Sequence, residues 1–209
     1  MVIVDSALSG SYSLPMLPDA EKFLLDQARA GDEQAFAQLV EAHSEKIISL
    51  AWRLTGQRAD AEELAQEAFL RLFRSLAAFR GESSVGTWLY RTATRLAIDH
   101  LRREKLKRKI FFFRGNDADQ PDPVELAVDP TASPQEQLLA RETAGRMQQQ
   151  LDRLPPRQKA VFVLRHMEGL SLKEIAATLG LEEGTVKAHL HRAVAQFRKE
   201  FQAAKEVSP

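Results

Sequence analysis

The chain has 209 residues, 44% hydrophobic and 28% charged, and its 29 Lys and Arg balance 29 Asp and Glu, so overall charge does not point to a polyanionic partner. It has no cysteine, which excludes disulfides, thiolate metal sites and thiol redox sensing by this chain. No run approaches the ~18 apolar residues needed to span a bilayer, so membrane insertion is not expected and the expected compartment is the cytoplasm.

Residues 1–18 open with a short apolar run that Asp5 interrupts and that no basic segment precedes, so they read as a disordered tail rather than a signal peptide. From Asp19 to Lys109 the pattern is helical almost throughout, with no period-two alternation. Gly31, Gly56, Gly81 and Gly86 stand where helices are expected to stop. Asp32 is placed to cap a helix running to about Ala42, and Ser44 to start another that ends near Gly56. Asp60 and Glu63 have the spacing of a capping box and predict a helix from Ala61 to about Ala78. Its core stripe is Leu64, Ala68, Phe69, Leu72 and Leu76. Its other face, Glu63, Gln66, Glu67, Leu70 and Arg74, is polar with one exposed leucine: a solvated face or a docking surface for a basic partner.

"RGESSVGTWLYR", Arg80 to Arg91, sets small residues before a tryptophan, a tyrosine and an arginine. Such a loop can carry a reactive serine or hold a flat group such as a base. A nucleophile elbow needs G-x-S-x-G after a strand, whereas Val85 stands where the second glycine belongs and no strand precedes it. A long helix is expected from Ser84 to about Arg108, with Leu89, Ala93, Leu96 and Ala97 inward. Trp88, Arg91, Thr92, Arg95, Asp99 and Arg102 share another side. "RREKLKRK" then adds six basic residues between Arg102 and Lys109. Aromatic and arginine side chains on one face suit unstacked bases.

Residues 115–137 contain Pro121, Pro123, Pro130 and Pro134 with six acidic and no basic residues, and read as a linker. Helical periodicity resumes at about Pro134, broken at Pro155-Pro156, Gly169 and Gly180. Ser171 and Glu174 predict a capping box for a short helix. Gly180 then turns the chain into a second helix, from about Glu182 to Phe201, giving the helix-turn-helix layout. Val186, Leu190, Val194 and Phe197 are its inner face, and Lys187, His191 and Arg192 lie outside, where a recognition helix meets DNA. A helical hairpin with an ordinary cationic surface has the same pattern. His189 and His191 point to nearly opposite sides of the helix, so no shared metal is expected.

The expected fold class is all-α: two small helical domains joined by an acidic linker. The boundaries are 1–18 tail, 19–110 first domain, 111–136 linker, 137–204 second domain and 205–209 tail.

"RADAEELAQEAFLRLFRSLAAFRGESSVGTWLYRTATRLAIDHLRR" resembles region 2 of the extracytoplasmic-function (ECF) sigma factors of bacterial RNA polymerase, and "LDRLPPRQKAVFVLRHMEGLSLKEIAATLGLEEGTVKAHLHRAVAQFRKEF" resembles their region 4. The second segment alone also resembles response-regulator output domains. The sigma resemblance implies a promoter-specificity subunit of a stress or envelope response, without catalytic activity, cofactor or metal. Its partners would be core RNA polymerase (the β′ coiled coil and the β flap), promoter DNA and an anti-sigma factor. It implies that Asp60, Glu63, Gln66, Glu67, Leu70 and Arg71 dock on the β′ coiled coil. Arg80, Ser83, Ser84 and Trp88 would belong to the loop that captures a flipped −10 base, with Arg91, Arg95, Arg102 and Arg103 on that strand and the adjoining duplex. Lys187, His191 and Arg192 would grip the −35 element, with Lys173 on a phosphate. The chain departs from the family pattern at Arg95, usually asparagine. It departs again at Gly86, where many members have a larger residue and where glycine is expected to loosen the loop, and at Ala188 and His189, commonly serine and arginine. "IFFFR", Ile110 to Arg114, is unusually apolar for a linker start and is expected to pack on the preceding helix or to contact a partner.

Overall fold

A computed structural model describes residues 18–79, 81, 83–112 and 133–206, and among these there is no strand. Eight α-helices follow in chain order: α1 Pro18–Arg29, α2 Glu33–Thr55, α3 Arg58–Ser75, α4 Val85–Phe112, α5 Pro134–Arg153, α6 Pro156–His166, α7 Leu172–Leu179 and α8 Glu183–Glu206. A short 3-10 turn, Leu76–Ala78, closes α3. Helices α1–α4 pack around one another, and α6–α8 form a second cluster with α5 leading into it.

Two expected boundaries are corrected. The break at Ala42–Ser44 does not exist: α2 runs unbroken from the Asp32 cap, whose carboxylate accepts from the Gln34 and Ala35 N–H groups, to Gly56. His43 and Ser44 are tolerated because both are half-buried and bonded within the fold, His43 to Glu21 and Ser44 to the Glu41 carbonyl. Helix α3 starts at Arg58, ahead of Asp60, and its cap Gln57 makes no side-chain bond. Asp60 cannot serve as the cap because its Oδ2 lies 3.1 Å from His100 Nε2 of α4, a link between the two helices. Gly86 is corrected as well: it sits in the first turn of α4 rather than ending a helix.

The core stripes lie where the 3.6-residue period puts them. Leu64, Ala68, Phe69, Leu72 and Leu76 are buried, as are Leu89, Ala93, Leu96 and Ala97. In the second cluster Ser171 and Glu174 make the expected capping box, Gly180 takes the left-handed turn, and Val186 and Phe197 are buried on α8, whereas Leu190 and Val194 are only half-buried and border its outer depression. Each such cap is worth about 1 kcal/mol. Helix α4 continues through Phe112, so Ile110 to Phe112 extend that helix rather than begin a linker; Phe113 and Arg114 lie outside the described residues.

The two clusters touch. Helix α4 packs on α6 and α7, and α2 on α5 and α6. Glu168, between α6 and α7, accepts from both the Arg53 guanidinium of α2 and the Tyr90 hydroxyl of α4. Beside this pair, Gln148 of α5 fills the space over Gly56, where a Cβ would meet its Nε2 at 2.5 Å, and Gly56 itself holds φ +80°. A side chain at that position would be strained by the left-handed backbone and would have to push the Gln148 amide aside.

Candidate nucleic-acid interface

On α3, Glu63, Gln66 and Arg71 are exposed, and Leu70 is 42% exposed. Glu67 pairs with Arg71 one turn on, at 2.7 Å. The structure brings these five together on one outer face and turns Asp60 away, toward His100. Phe73, which the sequence pattern left unassigned, extends the strip: it is 52% exposed and meets Phe36 edge-on at 5.1 Å. The signal for it was its place three residues after Leu70 on a helix whose inward stripe was already filled.

The start of α4 is held at two donors. Ser84 Oγ accepts from the Thr87 N–H at 3.1 Å, so Ser84 is the helix cap as well as a loop residue. The Val85 N–H donates to Glu21 Oε1 of α1 at 2.8 Å. Trp88 is half-buried and meets the buried Phe79 ring edge-on at 6.3 Å, and Arg29 of α1 lies over the other partner, 6.0 Å from the Phe79 centroid. Phe79 and Arg29 were not legible as part of this region. Ser83 is half-buried; Arg80 lies outside the described residues.

Arg91 follows one turn after Trp88, half-buried, and its Nε is enclosed without a partner. Arg95 and Arg102 are exposed on the same side and, with Ile98, Asp99, Arg157, Leu179 and Leu181, line a groove of about 220 Å³ between α4 and the second cluster. Asp99 accepts from Arg102 at 3.3 Å and its carbonyl from Arg103 Nε at 3.4 Å. Three guanidinium groups against one carboxylate make the groove electropositive, suited to a phosphate-bearing strand.

On the second cluster Lys173 is exposed in the first turn of α7. Lys187 and His191 line one shallow depression on α8 with Leu190, Val194, Ala195 and Arg198. Arg192, one residue after His191, is rotated about 100° away from it. It faces the side of His189, whose imidazole is held below its ordinary pKa by burial and then by the positive charges of Arg192 and Arg157. The structure therefore joins Lys187 and His191 with Arg198, which the sequence reading missed because it centred on the first turns of the helix. Among the described residues no cluster of three metal-ligating side chains occurs, and no helix is long and apolar enough to cross a membrane.

An all-α chain with two helical clusters, the second ending in a capped helix-turn-helix with an outward cationic face, defines a DNA-binding protein of two modules. Comparison with known proteins then places it. Residues 39–107 match Sigma-70 region 2 and residues 144–197 match Sigma-70, region 4. The chain is 32% identical over 180 residues to the ECF RNA polymerase sigma factor SigW of Bacillus subtilis, covering 85% of this chain and 94% of SigW. It is 36% identical over 174 residues to the ECF RNA polymerase sigma factor SigE of Mycolicibacterium smegmatis, covering 80% of this chain and 63% of that protein. Among solved structures, CnrH in complex with the cytosolic domain of CnrY aligns over 88% of this chain and 99% of CnrH, with a TM-score of 0.59 and 24% identity. RpoE of Bartonella quintana, in complex with the anti-sigma factor NepR, aligns over 83% of this chain and 98% of that one, with a TM-score of 0.57 and 17% identity. The chain belongs to the ECF family of RNA polymerase sigma factors and directs transcription initiation at promoters.

Proposed function

We propose that this chain is a promoter-specificity subunit without chemistry of its own, whose two helical modules read two promoter elements while core polymerase holds them apart. The outer face of α3, with Glu63, Gln66, Glu67, Leu70, Arg71 and now Phe73, docks on the β′ coiled coil, and the second module reaches the β flap. The loop before α4 captures an extruded −10 base, with Trp88, Arg91 and Arg95 along the strand and Arg102 and Arg103 beyond it. Lys187, His191 and Arg198 meet the −35 groove, with Lys173 on a phosphate. Asp60 ties α3 to α4 in this reading, and Arg192 contributes from the flank. An anti-sigma factor, of the kind seated on RpoE in its solved complex, is the expected regulator.

The observation that carries the reading is the pairing of two cationic surfaces, the groove where α4 meets the second cluster and the α8 face, on a chain whose modules follow the order of regions 2 and 4. Flipping a base costs a few kcal/mol, and stacking on an aromatic side chain returns about 1–3 kcal/mol. Neither module alone has the phosphate contacts to open DNA unaided, so the polymerase must supply the remainder.

The docking face is tested by Glu67→Lys combined with Leu70→Lys. Both side chains are on the surface, and the Glu67–Arg71 pair is worth at most about 1 kcal/mol. The melting temperature should stay close to the parent value while co-purification with core polymerase falls at least about tenfold, the scale of a central contact. Unimpaired assembly would remove α3 from the docking surface.

A further inference from the structure

The first turn of α4 is fastened from outside by a pair of side chains that the promoter-reading assignment does not use. Glu21 of α1 and His43 of α2 are both largely buried, with side-chain exposures of 14% and 13%. One carboxylate oxygen of Glu21 accepts from the Val85 N–H at 2.8 Å, and the other lies 3.2 Å from His43 Nε2. Val85 is the first residue of the helix, so its N–H has no partner within α4, and a carboxylate at that end also meets the positive pole of the helix. The imidazole, in turn, rests against Gly86: a Cβ there would meet His43 Cε1 at 3.2 Å and Nδ1 at 3.5 Å.

Three residues from three helices thus fix where α4 begins, and with it the place of Ser84 and the angle at which Trp88 leaves the helix. Gly86 leaves the space in which the His43 ring reaches the carboxylate. Burial holds the His43 imidazole below its ordinary pKa of 6.5, opposed by Glu21 and assisted by Lys46, so near neutrality it is the uncharged ring that donates its Nε2 proton to Glu21.

We infer that Glu21 and His43 are positioning residues for −10 recognition: they clamp the first turn of α4 so that Ser84 and Trp88 are set before DNA arrives. This rests on the assignment of that loop to the −10 strand. Holding a recognition loop in its working geometry in advance removes an ordering cost from the step in which the base is bound.

The test uses full-length chain assembled with core polymerase and, as probe, the strongest promoter that parent holoenzyme recovers from a random library. Opening is followed by permanganate reactivity of −10 thymines and assembly by co-purification. Glu21→Ala should slow opening by about tenfold, the scale of one lost buried charge-assisted hydrogen bond, in holoenzyme that assembles normally. Glu21→Gln, which keeps an oxygen for the Val85 N–H, should recover most of the rate.

Should Glu21→Ala fail to fold, a cycle between Gly86 and His43 decides. Alanine is the better helix former, so Gly86→Ala in a His43→Ala background should be neutral or should speed opening. In the parent the same change sets a methyl 3.2 Å from His43 Cε1, so the imidazole must shift against Glu21, and opening should slow. Equal effects of Gly86→Ala in both backgrounds would overturn the clamp. Trp88→Ala checks the underlying assignment separately. Unchanged opening there overturns the loop assignment and this proposal together, whereas slowed opening beside an unaffected Glu21→Ala overturns this proposal alone.

Discussion

Lys187, His191 and Arg198 illustrate how much a few degrees of helix rotation decide. All three line one depression on α8, while Arg192 is turned toward His189 and Arg157. If the depression is the surface that enters the −35 groove, neutralising its cations removes phosphate contacts. Lys187→Ala and Arg198→Ala should each lower the slope of log affinity against log salt by about 1 for holoenzyme on promoter DNA. Arg192→Ala should change it less. An Arg192 effect equal to that of Lys187, with none from Arg198, would show that the helix docks on another side. Individual residues of this kind were partly legible in the sequence. Lys187 and His191 could be placed outside by the apolar repeat that begins at Val186, whereas Arg198 and Phe73 emerged only once the neighbouring surface was in view.

At the scale of elements, periodic apolar stripes were readable because burial repeats with the helix, and the capping box at Ser171 was readable because both partners lie within one turn. What escaped was any partner far along the chain. His43 looks like a helix boundary until Glu21, 22 residues earlier, is seen to hold it. Asp60 looks like a cap until His100 of α4 takes its carboxylate, 40 residues on. The most distant case is Glu168, which reaches back 115 residues to Arg53 and also binds Tyr90. That carboxylate is mostly buried and joins α2 and α4 to the α6–α7 connection. Removing one partner of a mostly buried pair costs on the order of 3 kcal/mol. Glu168→Ala should accordingly enlarge the hydrodynamic radius of the free chain and raise its affinity for single-stranded DNA several-fold. Arg53→Glu combined with Glu168→Arg should restore compactness in part. A Glu168→Ala chain as compact as the parent would mean that apolar packing alone holds the clusters together.

For the molecule as a whole, two all-helical modules in this order were evident from sequence. The acidic stretch between them explains why a chain with local cationic faces has no net charge. The way the modules close on each other was not evident, because it depends on a handful of contacts between residues more than seventy positions apart. In the chain by itself, α4 packs on both α6 and α7. The most direct measurement is run-off transcription by core polymerase on a random promoter library, with and without the purified chain. The account predicts a new set of start sites sharing two upstream elements at constant spacing, and only weak binding of the same DNA by the chain without polymerase. Start sites unchanged by the chain, or tight binding of intact duplex by the chain unaided, would contradict it.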